Sequence, residues 1–213
     1  MQSTSRTRYL IVGAALFLLG FSLAIFAAPV SIADDRGVVA VFDKPPQRIV
    51  SLMPSLTESV CALGKCSALV GVDRFSNWPK SIRDLPRLGG MGDINIERIV
   101  QLKPDIVLLE KSSPVIARLN GLGIKTFALD VKSMGDEERA LRKLDAVLGS
   151  SESARVWNQI QQEIMRAGKQ IPLKEKNISV YFEVNPAPFA AGSTSFIGEI
   201  LSQLNLVNII PKS

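Results

Sequence analysis

Arg48-Ile49-Val50-Ser51-Leu52-Met53-Pro54-Ser55-Leu56-Thr57-Glu58 is the stretch on which the fold turns. Its first part, Arg48–Leu52, is a short apolar run that reads as a strand. Ser55 and Glu58 then stand at the spacing of a capping box, so a helix is expected from Ser55. Leu56, Val60 and Leu63 follow at helical spacing, and Gly64 is placed to end the helix. A strand running directly into a helix opens a β–α–β unit.

Downstream the alternation repeats. Ala68–Val72 reads as a second strand, Phe75–Pro79 as a loop and Leu88–Asp93 as a Gly-rich turn. Asn95 can cap a helix carrying Ile96, Ile99, Val100 and Leu102. After the turn at Pro104-Asp105, Ile106–Leu109 is continuously apolar, as suits a parallel strand covered on both faces. Val115–Leu122 reads as a helix and Lys125–Leu129 as a strand, giving an α/β class with a mainly parallel sheet. From Gly135 the pattern becomes helical, over Asp136–Leu148 and then Ser151–Ile171. The second helix would be about 30 Å long, enough to cross between two lobes. Ile178–Phe182 begins a new strand, Thr194–Leu204 a helix, and Val207–Ile210 is an apolar end.

Upstream, Arg6 and Arg8 precede an apolar run from Leu10 to Ala28, the pattern of an export signal. Ser31 and Ala33 are small residues suited to a cut before Asp34. The run approaches the ~20 residues that span a bilayer, so an uncleaved anchor is the competing reading. With no cysteine before Cys61, a lipid-anchored N-terminus is not expected. The organisation expected is 1–33 signal peptide or anchor, 34–47 leader, 48–135 first α/β lobe, 136–176 helical segment with the inter-lobe helix, and 177–213 partial second lobe.

Composition narrows function by exclusion. The chain has no histidine, which removes His-based acid–base chemistry, the Ser–His–Asp triad and His-rich metal sites. The net charge is +5, two of it from Arg6 and Arg8, and the other cations are scattered among acids. Nucleic acid is not implied. Cys61 and Cys66 could form a disulfide in an oxidising compartment, or simply be small buried hydrophobes; no further Cys or His completes a soft metal site. The Gly89-Gly90-Met91-Gly92 turn lacks the spacing of a nucleotide loop. Ser193-Thr194-Ser195 precedes a helix and reads as its N-cap rather than an anion site.

The 48–58 stretch, Leu69-Val70-Gly71-Val72, the run from Asn95 to Val107 and the Leu122-Gly123-Ile124-Lys125 turn are together similar to periplasmic cobalamin- and ferric-siderophore-binding proteins of ABC importers. The resemblance covers about 48–210. It implies two Rossmann-like α/β lobes joined by one long helix, with ligand held between them, and no catalysis. Such proteins continue beyond the point matching Ser213, so the second lobe is expected to be incomplete. The resemblance also implies a periplasmic monomer whose partners are an inner-membrane permease with its ATPase and a small-molecule metal chelate. Cobalamin or a ferric chelate would be cargo rather than cofactor.

By the same resemblance, Glu97 would pair with permease arginines, whereas its position in a first helical turn is also what the helix dipole favours. The ligand-stacking positions fall at Phe75, Met91, Glu110 and Glu183, of which only Phe75 is aromatic. Glu110 and Glu183 each follow a strand end, where α/β clefts lie; they are either cleft acids for a ligand with positive groups or a metal, or ordinary solvated residues. Trp78 shares the Phe75 loop and is read as a binding platform. No catalytic or resident metal residues are expected. The alternatives are a fragment that binds no ligand or serves as an interaction module, and an extracytoplasmic α/β enzyme.

Overall fold

The computed structural model describes residues 29–171, 178–185 and 189–211. Its centre is a four-stranded, all-parallel sheet: β3 (Ile49–Ser51), β4 (Leu69–Val72), β5 (Ile106–Glu110) and β6 (Thr126–Leu129), in the order β4-β3-β5-β6. Apart from Ser51, Glu110 and Thr126 at strand ends, the strands carry no polar side chain, because both faces are covered. Ile49, Ile106, Leu108, Phe127 and Leu129 turn to one face. Val50, Val107, Leu109 and Ala128 turn to the other, the period-2 partition of a pleated strand.

The first face is covered by α1 (Pro54–Ala62), through Leu56 and Val60, and by α4 (Met134–Leu148), through Leu141, Leu144 and Leu148. The second face is covered by α2 (Ile96–Gln101) and α3 (Ile116–Gly121), through Ile96, Ile99 and Leu119. The Asn95 side chain accepts a hydrogen bond from Arg98 N, as expected of a cap.

The capping box does not form. The helix starts one residue earlier, at Pro54, with Met53 at the cap position and no side-chain bond. Proline's fixed φ and missing N–H suit the first helical position, so Pro54 displaces Ser55 from the role its spacing suggested. Gly64 adopts φ +77° just beyond the helix, as placed.

The stretch assigned to signal and leader contains a hairpin. β1 (Val30–Ala33) pairs antiparallel with β2 (Val39–Phe42), and the 33/34 boundary falls at the end of β1. Asp34 and Asp35 fasten the hairpin to β6 and α4. Asp34 accepts from Arg36 N (2.8 Å) and Nε (2.7 Å), Val38 N (3.1 Å) and Ala128 N (3.1 Å). Asp35 accepts from Arg139 Nη2 (3.0 Å), Lys143 Nζ (2.7 Å) and Asp130 N (2.8 Å). Burial pushes both carboxyls upward, but these donors outweigh it and hold both below the ordinary carboxylate value. The apolar run Leu10–Ala28 lies outside the described residues. Among those described, no helix is long and apolar enough to cross a membrane.

The expected long helix is α5 (Ser153–Gln170). Val156 is buried, and Trp157 and Ile160 are packed against the core. The chain then forms β7 (Ser179–Val180), β8 (Glu183–Asn185), β9 (Phe189–Ala190), α6 (Phe196–Gln203) and β10 (Val207–Asn208). β7 and β10 pair in parallel, and β8 with β9 antiparallel. The strand expected over Ile178–Phe182 is therefore shorter, because the chain turns into a separate hairpin. Ser195 caps α6, accepting from Gly198 N.

Candidate functional site

From β3 the chain crosses first to β4 on one side and later to β5 on the other. The sheet order thus reverses between β3 and β5, and crevices in open α/β sheets open at the carboxyl ends of such a pair. A cavity of about 370 Å³ lies there. Leu52 and Met53 after β3, and Leu109 and Glu110 at the end of β5, form its walls, joined by Met91 and Ile94. It is mostly apolar, with Glu110, Ser112 and Ser113 as polar points. Glu110 accepts from the Ser112 hydroxyl.

The rim is built from two loops tied together. Arg74 N donates to Gly89 O at 2.8 Å, and the Arg74 guanidinium pairs with Asp93. Gly89 has φ +95°, and a Cβ there would lie 2.2 Å from Asp93 O; only glycine fits. Gly90 N donates to Asp93 Oδ1 (2.8 Å), closing a turn that carries Met91 outward, 76% exposed. The Phe75 ring lies over Gly90, where a Cβ would stand 3.0 Å from it. Phe75 is 63% exposed and Trp78 59%. Met91 and Phe75, large apolar side chains held open at the cavity, offer a surface to a flat apolar partner.

Of the sequence-derived residues, Met91 and Glu110 share this cavity and Phe75 sits at its rim. Trp78 belongs to the same loop. Glu183 is exposed on β8 and does not line the cavity; its neighbour Val184 lines a separate hollow of about 540 Å³ with Val131, Lys132 and Phe196. Among the described residues Glu183 thus does not share this cavity with Glu110, because β8 leaves the parallel pair β7–β10 to form its own hairpin.

Sequence reading missed the wall residues Leu52 and Met53, which directly follow a strand at the reversal point. It also missed Lys132, whose ammonium lies 2.9 Å from Asp130 Oδ2. That hydrogen bond, with nearby Glu110 contributing, raises the lysine's pKa.

A second groove, about 520 Å³, runs between α1, α4 and α5. Its walls are helix sides, away from the strand ends. Glu137 lines it, and burial pushes this carboxyl upward against a hydrogen bond from Ser59.

Glu97 stands in the first turn of α2, 71% exposed at the side chain, and pairs with Arg118 at 3.0 Å. Such an exposed pair is worth about 0–1 kcal/mol, so the carboxylate can exchange partners cheaply. Cys61 and Cys66 are disulfide-bonded. Among the described residues no group of His, Cys, Asp and Glu is arranged to hold a metal ion.

A parallel sheet with an apolar cavity at its order reversal, continued by a long helix, is an architecture suited to holding a small molecule. The periplasmic binding protein family model matches residues 49–213, and the chain belongs to that family. It is 31% identical over 194 residues to an uncharacterized ABC transporter substrate-binding lipoprotein of Bacillus subtilis (strain 168), covering 84% of this chain and 60% of that protein. Among solved structures it is similar to the periplasmic vitamin B12-binding protein of Vibrio cholerae, with TM-score 0.62, 26% identity, and coverage of 79% of this chain and 68% of that one. It is also similar to a periplasmic heme-binding protein from Pseudomonas aeruginosa, with TM-score 0.67, 27% identity, and coverage of 79% and 64%. The chain spans about three fifths to two thirds of the length of these relatives. By name they are a substrate-binding lipoprotein and two periplasmic binding proteins.

Proposed function

We propose that this chain is the ligand-capturing component of an ABC importer, acting outside the cytoplasmic membrane on an apolar-faced metal chelate of the corrinoid, haem or siderophore kind. The observation that carries this reading is the apolar cavity at the β3–β5 reversal with Phe75 and Met91 held open beside it. Glu110 in its wall favours a ligand edged with amides or cations over one bearing several carboxylates. Within the same reading Glu97, exposed and only weakly engaged by Arg118, docks on arginines of the permease. Cargo is then released to the permease.

The test is a titration of the chain beginning at Pro29 with cobalamin, cobinamide, haemin and a ferric hydroxamate, followed by Trp fluorescence. One of them should bind saturably. Phe75→Ala should weaken that binding about tenfold or more, the worth of one aromatic stacking contact. A folded chain that binds none of them overturns the reading.

One observation favours a second reading, a chain that does not bind ligand by itself. Tyr181, Phe182, Val184, Phe189, Val207 and Ile209 are all large apolar residues more than 40% exposed. The same titration decides between the two.

A further inference from the structure

Behind the aromatic loop lies a polar network that no contact with ligand would require. Asp73, at the end of β4, is 3% exposed. Its Oδ1 accepts from Phe75 N (2.7 Å) and Ser76 N (3.2 Å), and its Oδ2 accepts from the Ser76 hydroxyl. Ser76 Oγ also meets Thr57 Oγ1 at 2.9 Å. Thr57 Oγ1 in turn lies 2.8 Å from Ser51 Oγ and 3.0 Å from Met53 O. Ser51, Thr57 and Ser76 are each at most 1% exposed. From the opposite side the Arg87 guanidinium donates to Ser76 O, and to Arg83 O at 2.9 Å.

The chain of contacts therefore joins a wall of the cavity, Met53, to the backbone that aims Phe75. Buried carboxylates and hydroxyls cost free energy unless fully paired, and a fully paired network fixes one geometry. Here the geometry fixed is that of a loop whose own side chains, Phe75 and Trp78, are mostly in water and so cannot hold it by burial. We infer that Asp73 is a positioning residue, with Ser76 and Arg87 as its supports: it preorganises the Phe75–Trp78 loop against the cavity before ligand arrives. This rests on the cavity being the ligand site. Ordering an aromatic loop in advance removes an entropic cost that binding would otherwise carry.

The experiment uses Asp73→Ala, which removes the acceptor of both loop amides, with Ser76→Ala as the milder change, both in a Trp157→Phe background so that Trp78 alone reports. Without ligand, hydrogen exchange at the Phe75 and Ser76 amides should accelerate at least about tenfold, and Trp78 anisotropy should fall, while amides of β5 and β6 keep their protection. Arg87→Lys should give an intermediate effect, because lysine cannot reach both carbonyl groups with a planar fork. For a chelate bound by the parent chain, affinity should drop about tenfold. Unchanged loop exchange and anisotropy in a folded Asp73→Ala chain would overturn the inference, as would unchanged affinity despite a loosened loop. Failure of the parent to bind any chelate, with the loop loosened as expected, would instead count against the cavity as the ligand site and leave the loop's anchoring by Asp73 established.

Discussion

Removing the Asp34 carboxylate tests whether the N-terminal hairpin is part of the folded unit. Asp34→Ala deprives Ala128 N, in a residue 0% exposed, of its side-chain acceptor, and deprives Arg36 of its partner. An orphaned buried amide costs about 1–3 kcal/mol and a charge-assisted bond contributes about 1.5–3 kcal/mol. Arg36 keeps Thr126 as an acceptor, at 3.0 Å through Oγ1, which recovers part of the loss. A net destabilisation of roughly 3 kcal/mol is expected at pH 7. With a urea slope of about 2 kcal/mol per molar, the midpoint falls by about 1.5 M. Circular dichroism of the chain beginning at Pro29 reads it directly. The pH dependence fixes the cause. Asp34 is held below its ordinary value of 3.8, so its contribution is complete above that value and is lost as pH falls through the lower, folded one. The gap between parent and Asp34→Asn should therefore close in acid. A shift under about 0.3 M at pH 7, or a gap undiminished in strong acid, would refute the assignment of the hairpin's anchoring to this carboxylate.

Three further outcomes are expected. Gly89→Ala forces a side chain into φ +95° and against Asp93 O; it should cost roughly 1–3 kcal/mol in urea unfolding and weaken ligand binding through Met91. Glu137→Gln should raise the midpoint at neutral pH but not below the ordinary glutamate value of 4.5. Its raised folded pKa means that the destabilising charge appears only as pH rises through the shifted range, so an equal gain at all pH values would contradict the burial argument. Export processing should leave Val30–Ala33 on the mature protein, because all four residues pair with β2; N-terminal sequencing that begins at Asp34 would contradict it.

The sequence made the central sheet legible where one local rule governed. Ile106–Leu109 is apolar without interruption because α4 and α2 cover opposite faces, and Asn95 caps because nothing competes with it. Ser55 failed as a cap because Pro54 beside it obeys a stronger steric constraint. The β1–β2 hairpin was not legible because Val39 and Val41 face water, and its anchors reach across to Ala128 and Arg139. At the site, Met91 and Glu110 were expected from the family resemblance, and Glu110 also from its place at a strand end; both line the cavity. Glu183 does not, since the same rule holds only if its strand joins the parallel sheet. Asp73 and Arg87 left no signal because their meaning lies in contacts with Thr57, Ser76 and Arg83, not in spacing.

The 18-residue helix α5 is anchored unevenly. Val156, Trp157 and Ile160, near its start, press on the core of the first lobe, while near its far end Gly168 lies beside Leu204 at the close of α6. A helix of that length is a lever about 27 Å long. A tilt of about 5° at the anchored end moves the far end by about 2 Å. Small changes in the packing beneath Val156 and Ile160 therefore act as a gearing. Substitutions there move the far end of the helix, beside Leu204, by more than the displacement they cause locally.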